Sequence, residues 1–351
     1  MNAAASIKSF DVHWQDNLSD YVTAICWSKD GNLLAACSAA GEVLLWQDME
    51  AQSFLLRSHG KTSADCIGFS CDEQFLAAGG QDGVLRVWSI KSLKLVAELE
   101  NPRRWIDQLA WHPTCNQVAF SLGKKVQIWD AESREAIAQL DFENSSIFGI
   151  AWHPEGKHLA ASGSKGVKVW NARRWEEVPR RLEIPSASAA IAWSPDGTRI
   201  AVANLDDNIA IAKLSDLKPV FMGGFPGKIR RLAWSDIHTE LGVPLLAVAS
   251  AEVVGILEKQ VDESARWDGW VLEFHLGIVQ DIAFQSGTFN LASAADDGQV
   301  LLWYEAQQVS QFLTGASSGF CCLAWHPQGD RLAAGGQAGE VFIWKRDDSY
   351  L

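Results

Sequence analysis

An all-β chain made of eight copies of one four-stranded antiparallel unit is the fold class this sequence predicts. Three observations predict it: an aromatic residue recurs at near-constant spacing, apolar residues alternate over short runs between turn-forming clusters, and no long helical periodicity appears.

The spacing is set by the dipeptide "AW" and its equivalents. They bring Trp27, Phe69, Trp111, Trp152, Trp193, Trp234, Phe284 and Trp325 into register, with steps of 42, 42, 41, 41, 41, 50 and 41 residues. A second series, Trp46, Trp88, Trp129, Trp170, Trp303 and Trp344, runs in phase with it, and Ala212 and Leu257 hold its places in copies five and six. Within one copy, "YVTAICWSKDGNLLAACSAAGEVLLW", the turns SKDG and AAG separate three alternating runs, which reads as three strands. A fourth lies in each linker, as in "KLVAELE" at 94–100.

Two stretches, "LAAGGQDGVLRVW" at 76–88 and "LASAADDGQVLLW" at 291–303, carry small residues, Asp-Gly, alternating β-formers and Trp. In this they resemble WD repeats, and the likeness runs through nearly the whole chain. The resemblance implies a single β-propeller, here of eight blades, spanning 1–351. The eight repeats occupy 18–344 and a short tail occupies 345–351. The tail, "KRDDSYL", is too polar to be an outer strand, whereas "SIKSFDVHW" has the alternation of one. Residues 1–17 are therefore expected to hold a closing strand, with 6–14 pairing to the third strand of the last blade and covering its free edge.

The resemblance also implies a buried hydrogen-bond set of His, Ser or Thr, Asp and Trp. Copy seven matches at His275, Ser293, Asp297 and Trp303. Copy two keeps His59, Asp82 and Trp88 but has Ala78 where the hydroxyl belongs. Blades lacking the set must depend on apolar packing between sheets.

Composition bounds the function. With 351 residues and a net charge of −13, the chain is not expected to bind DNA. No signal-peptide pattern opens it and no apolar run approaches membrane-spanning length, so a cytoplasmic address and no membrane partner are expected. Seven cysteines without a CxxC pair suit a reducing compartment. Adjacent Cys321 and Cys322 should point to opposite faces of their strand.

Three histidines recur in one context, "AWHP": His112, His153 and His326. Other copies have Ser28, Ser70, Ser194 and Ser235 at that place. A position that takes Ser or His is filled by a group bonding its own turn, and ring geometry separates the last histidine from the other two, so no metal is expected. No Gly-x-Ser-x-Gly, HExxH or Walker pattern occurs, and the glycine-rich runs recur as strand and turn residues. The chain reads as a non-enzyme without a cofactor.

In a WD-like propeller, the loops leading into each innermost strand share the top face with the turns joining second to third strands. The entry loops contribute Tyr21, Lys61, Arg103, Arg104 and Trp105 and the second-to-third turns Lys124, Lys125 and Lys165, so that blades two to four form a basic arc, while Asp206, Asp207 and Asp296 make the far side acidic. Trp105 lies outside both aromatic series, and an Arg-Arg-Trp cluster has the composition of an interaction hot spot. The alternative is that Trp105 folds onto its own blade. A second candidate is the irregular sixth copy, whose insertions carry Trp267 and Trp270 with Asp262 and Glu263 on the bottom face.

The expected function is a non-catalytic scaffold or adaptor, monomeric by itself within a larger complex. It would hold an acidic or phosphorylated segment of a protein or peptide partner on the top arc. An RNA binder using the same arc and a small-molecule enzyme using the central channel are the alternatives.

Overall fold

The computed structural model describes residues 9–47, 52–143, 145–260 and 267–347. Their strands form eight four-stranded antiparallel sheets. Blades 1 to 8 span 22–57, 64–100, 109–141, 147–183, 188–222, 229–273, 279–314 and 320–346. Each innermost strand lies beside that of the next blade, and that of blade 8 lies beside that of blade 1. The chain is thus an eight-bladed β-propeller, with strands a to d running outward from the channel. Blades 5 and 6 are complete although Ala212 and Leu257 replace tryptophan.

The b strands show why small residues recur. Sequences such as LLAACS, FLAAGG and LASAA are buried almost throughout, because each is covered by sheets on both faces. Alanine and glycine allow those sheets close approach, and the d strands, facing solvent, take polar residues. The hydrophobic core is accordingly divided into eight clusters, one between each pair of neighbouring blades.

Closure uses the N-terminal strand Phe10–Asn17, which pairs antiparallel with Glu340–Arg346 as strand d of blade 8. The strand lies further along than the expected 6–14, and residues 6–8 fall outside the described residues. A bulge between Val12 and Trp14 lets Trp14 pair with Ile343. Its ring then meets that of Trp46 in blade 1 edge-on at 5.4 Å. The Trp46 indole donates to the Asp16 carboxylate at 2.8 Å, and the Gln311 amide brackets Phe10, accepting from its N–H at 2.8 Å and donating to its carbonyl at 2.7 Å. Side chains of blades 7 and 1 therefore both hold the closing strand.

The two aromatic series have different tasks. In the first, each indole N–H crosses to the preceding blade: Trp27 donates to Ala324 O, Trp111 to Gly68 O, Trp152 to Ala110 O, Trp193 to Ala151 O, Trp234 to Ala192 O and Trp325 to Ala283 O, at 2.8–3.4 Å. Phe69 and Phe284 interrupt this circuit. In the second series, Trp303 donates to Ser293 Oγ at 2.8 Å, Ser293 lies 2.8 Å from His275 Nε2, and His275 Nδ1 lies 2.9 Å from Asp297. A neutral imidazole with its proton on Nδ1 satisfies the chain: Ser293 donates to Nε2 and Nδ1–H donates to the carboxylate. Burial holds the His275 pKa below its ordinary value.

Blade 2 departs from that pattern. His59 is exposed, and Asp82 is held by Arg57 at 3.0 Å and Arg86 at 2.6 Å. Ala78 offers no hydroxyl to link Trp88 to a buried histidine, and two guanidinium groups satisfy the aspartate instead.

Candidate partner-binding site

The top-face residues are brought together most tightly at blade 3. The loop leading into its strand a begins with a turn in which Arg104 N–H donates to Asn101 O at 3.2 Å. Pro102 occupies the second position of this turn, and Arg103, at φ +66°, occupies the third, a place that favours glycine. Beyond Trp105, Ile106 is fully buried and its N–H donates to Gly80 O at 3.0 Å. With both flanks anchored, Trp105 is turned outward and is 62% exposed. It does not fold onto its own blade.

Arg104 Nη1 donates to Leu122 O at 3.2 Å, which lays the guanidinium along the b–c turn of the same blade and leaves it four further N–H donors. Arg103, Arg104, Trp105 and Lys124 line a depression of about 620 Å³, with Asp107 and Ser146 on its wall. Asp107 is occupied by strand b of the blade, accepting from Ser121 Oγ at 2.6 Å.

The other arc residues are more dispersed. Lys61 is exposed on the loop into blade 2. Lys125 Nζ turns outward to Gln139 at 2.8 Å. Lys165 lines a separate recess with Glu143 and Arg181, where the buried Lys168 and Arg181 already pair with Glu143 and hold its pKa below the usual range. Tyr21 is half-buried near Cys321, and burial raises its pKa. The site that geometry assembles is thus Arg103, Arg104, Trp105 and Lys124.

The blade-6 candidate looks different. Asp262 and Glu263 lie outside the described residues. Trp270 Nε1 donates to Ala306 O at 2.7 Å, and the Trp267 ring packs 6.2 Å from that of Trp234. Both tryptophans fasten the long hairpin to its neighbours.

The three histidines do not meet. The Nε2 of His112 bonds Gly156 O at 3.1 Å and that of His326 bonds Gly31 O at 3.2 Å, while His153 packs in the same way on Gly197. In each case the partner is the a–b turn of the following blade. Those glycines have φ between +67° and +77°, and a Cβ on any of them would overlap the imidazole. Nδ1 of His112 and His153 meanwhile accepts an N–H from its own turn, as Thr114 N–H does to His112 at 3.2 Å, whereas Nδ1 of His326 lies 2.7 Å from the Asp330 carboxylate. Gln285 takes the same place in blade 7, donating to Gly329 O at 2.5 Å. Own-turn bonding is legible in the sequence; the reach to the next blade is not, because the receiving glycine lies about one repeat further on. Among the described residues, no cluster of three or more His, Cys, Asp or Glu side chains could hold a metal ion.

Comparison with known proteins agrees with this architecture. The family model described as "WD domain, G-beta repeat" matches residues 5–47, 51–89, 135–171 and 307–345. Each match takes in the outermost strand of one blade and the three inner strands of the next. The chain carries WD repeats at these four stretches of its eight-bladed β-propeller.

Among its relatives, telomerase protein component 1 of Rattus norvegicus is 31% identical over 105 residues, or 30% of this chain and 4% of that protein. Protein ROOT INITIATION DEFECTIVE 3 of Arabidopsis thaliana is 31% identical over 87 residues, covering 24% and 18%. The guanine nucleotide-binding protein subunit beta-like protein of Encephalitozoon cuniculi is 28% identical over 91 residues, covering 25% and 27%. The chain therefore spans well under a third of the length of these relatives. WD-repeat propellers are typically protein-interaction scaffolds and generally non-catalytic.

Proposed function

We propose that this WD-repeat propeller is a non-catalytic scaffold that holds an acidic or phosphorylated segment of a protein partner at the blade-3 depression. Carboxylate or phosphate oxygens would take the N–H groups of Arg103 and Arg104, Lys124 would add charge, and an apolar side chain would cover Trp105. The observation that carries the reading is the pinned, outward Trp105 between a backbone-anchored guanidinium and a buried isoleucine. An aromatic fixed in this way loses little conformational entropy on binding. Arg103 adds support, because an arginine holds a position where glycine would fit with less strain. A cytoplasmic address belongs to the reading and rests on cysteine usage.

The test is a tagged pull-down from native lysate, with and without nuclease, beside an Arg103→Glu, Arg104→Glu, Trp105→Ala variant. A protein held by the wild type, lost by the variant and indifferent to nuclease supports the reading. Nuclease-sensitive recovery would replace it with RNA binding through the same arc, and a partner held equally by both chains would refute the site. Arg103→Gly separates fold from binding: relief of the positive φ should leave stability unchanged or raise it by about 1 kcal/mol, while partner affinity falls.

A further inference from the structure

Half-way round the ring from blade 3, the loop leading into blade 7 presents a surface of opposite character. Leu276 is 90% exposed, more than any other large apolar side chain among the described residues. Its backbone is nevertheless fixed. Its N–H donates at 2.9 Å to Asp297, the carboxylate that also receives His275 and the Gln299 N–H of the buried set. Ile278, also exposed, is held from both sides: its carbonyl accepts Asp296 N–H at 3.0 Å, and the next residue, Val279, donates to Ala251 O at 2.8 Å. The buried hydrogen-bond network of blade 7 thus supports the backbone beneath two apolar side chains that face water.

The same two backbone bonds place an acid on either side. Asp296 follows strand b of blade 7, and Glu252, exposed, follows Ala251 in the b–c turn of blade 6. The Asp296 carboxylate accepts from the Gln280 amide at 2.8 and 2.9 Å and from the Gln337 amide at 2.6 Å. These donors orient the carboxylate without neutralising it, and among the described residues no cationic side chain pairs with it. An oriented carboxylate beside rigid apolar side chains is complementary to a cation next to an apolar group.

We infer that the Leu276–Ile278 loop is a second docking surface, for a segment of a protein partner that carries a basic residue beside a large apolar one. The apolar side chain covers Leu276 and Ile278, and the ammonium or guanidinium reaches Asp296, with Glu252 adding attraction. This surface shares no residue with the blade-3 site and stands or falls independently of it.

The intact chain would be immobilised and panned with a displayed library of random peptides, and the enriched consensus synthesised and titrated. The expected consensus pairs Arg or Lys with Leu, Ile or Phe. Its affinity should fall about tenfold or more for Leu276→Ser with Ile278→Ser, fall also for Asp296→Asn, and hold for Arg103→Glu with Trp105→Ala. Both apolar side chains are exposed, so the serine variant keeps the fold, which far-UV circular dichroism checks. No enrichment, a consensus without a cation, or equal binding by the serine variant would overturn the proposal. A second copy of the chain is the other occupant, since its own Arg103, Arg104 and Trp105 corner carries the required chemistry. Concentration-dependent dimerisation of the wild type in sedimentation, abolished by the serine variant, would assign the surface to self-association and overturn the partner reading.

Discussion

The "AWHP" histidines show how one side chain can serve two blades. A neutral imidazole accepts from its own turn at Nδ1 and donates to the next blade at Nε2, so protonation at Nδ1 removes the first bond. Burial lowers the pKa of His112 and His153 in the folded state. A lowered folded value means that the neutral form is favoured by folding. Its contribution is complete above the unfolded value of about 6.5 and is lost as pH falls below it. Thermal unfolding followed from pH 7.5 to pH 5 should therefore show stability falling towards acid. Replacing both histidines with glutamine, as blade 7 does at Gln285, should flatten that dependence while keeping much of the interblade contact. Replacing either with alanine should cost about 1–3 kcal/mol at pH 7.5, because a buried turn carbonyl loses its donor, and less as pH falls towards 5. Residue-level reading was least secure where a bulge intervened. Strict alternation would send Cys321 and Cys322 to opposite faces, yet a register shift between Phe320 and Cys322 leaves both thiols near Val22 O, at 2.9 and 3.7 Å.

At the level of strands and turns, the sequence carries the pattern that folds and hides the bonds that join. Alternation and turn residues marked strands a to c of most blades, since each strand's own burial decides its composition. The indole circuit was not legible, because "AW" states which residue donates and says nothing of a carbonyl one blade away. The circuit makes its two gaps informative. In blade 2, Phe69 lies beside a recess of about 410 Å³ that also includes Cys26, the residue matching the acceptor position. Phe69→Trp should place an indole N–H toward Cys26 O and raise stability by about 1 kcal/mol, read as an increased midpoint in urea. Trp152→Phe, which removes an existing bond to Ala110 O, should lower it by a similar amount or more. An unchanged midpoint in both variants would mean that the indoles act through packing alone. The loops of the candidate site divide along the same line. Arg103, Arg104 and Trp105 stood out by composition, whereas the gathering of Lys124 with them, and the turning away of Lys125, depended on side-chain directions across a turn.

For the whole ring, eight units in series leave one seam, and the closing strand covers it. Removing residues 1–17 would uncover strand c of blade 8, expose the ring of Trp46 and withdraw buried Phe10. The expected result is a loss of at least about 3 kcal/mol together with concentration-dependent self-association through the bare edge, measured by chemical unfolding and sedimentation. A truncated chain as stable and monodisperse as the intact one would show that the seam holds without the strand. The eightfold period made this architecture readable, because self-similarity survives the loss of individual signature residues such as Ala212 for tryptophan. The stagger between repeat and blade has a further consequence for how the molecule comes into being. The Phe10 backbone is bracketed by Gln311, a residue 301 positions later, and its strand pairs with residues made later still. At roughly 5–20 residues per second, a ribosome keeps the first strand waiting on the order of 15 to 70 s for its mate. During synthesis, the closing strand must stay unpaired while the blades between assemble, and it takes its place last.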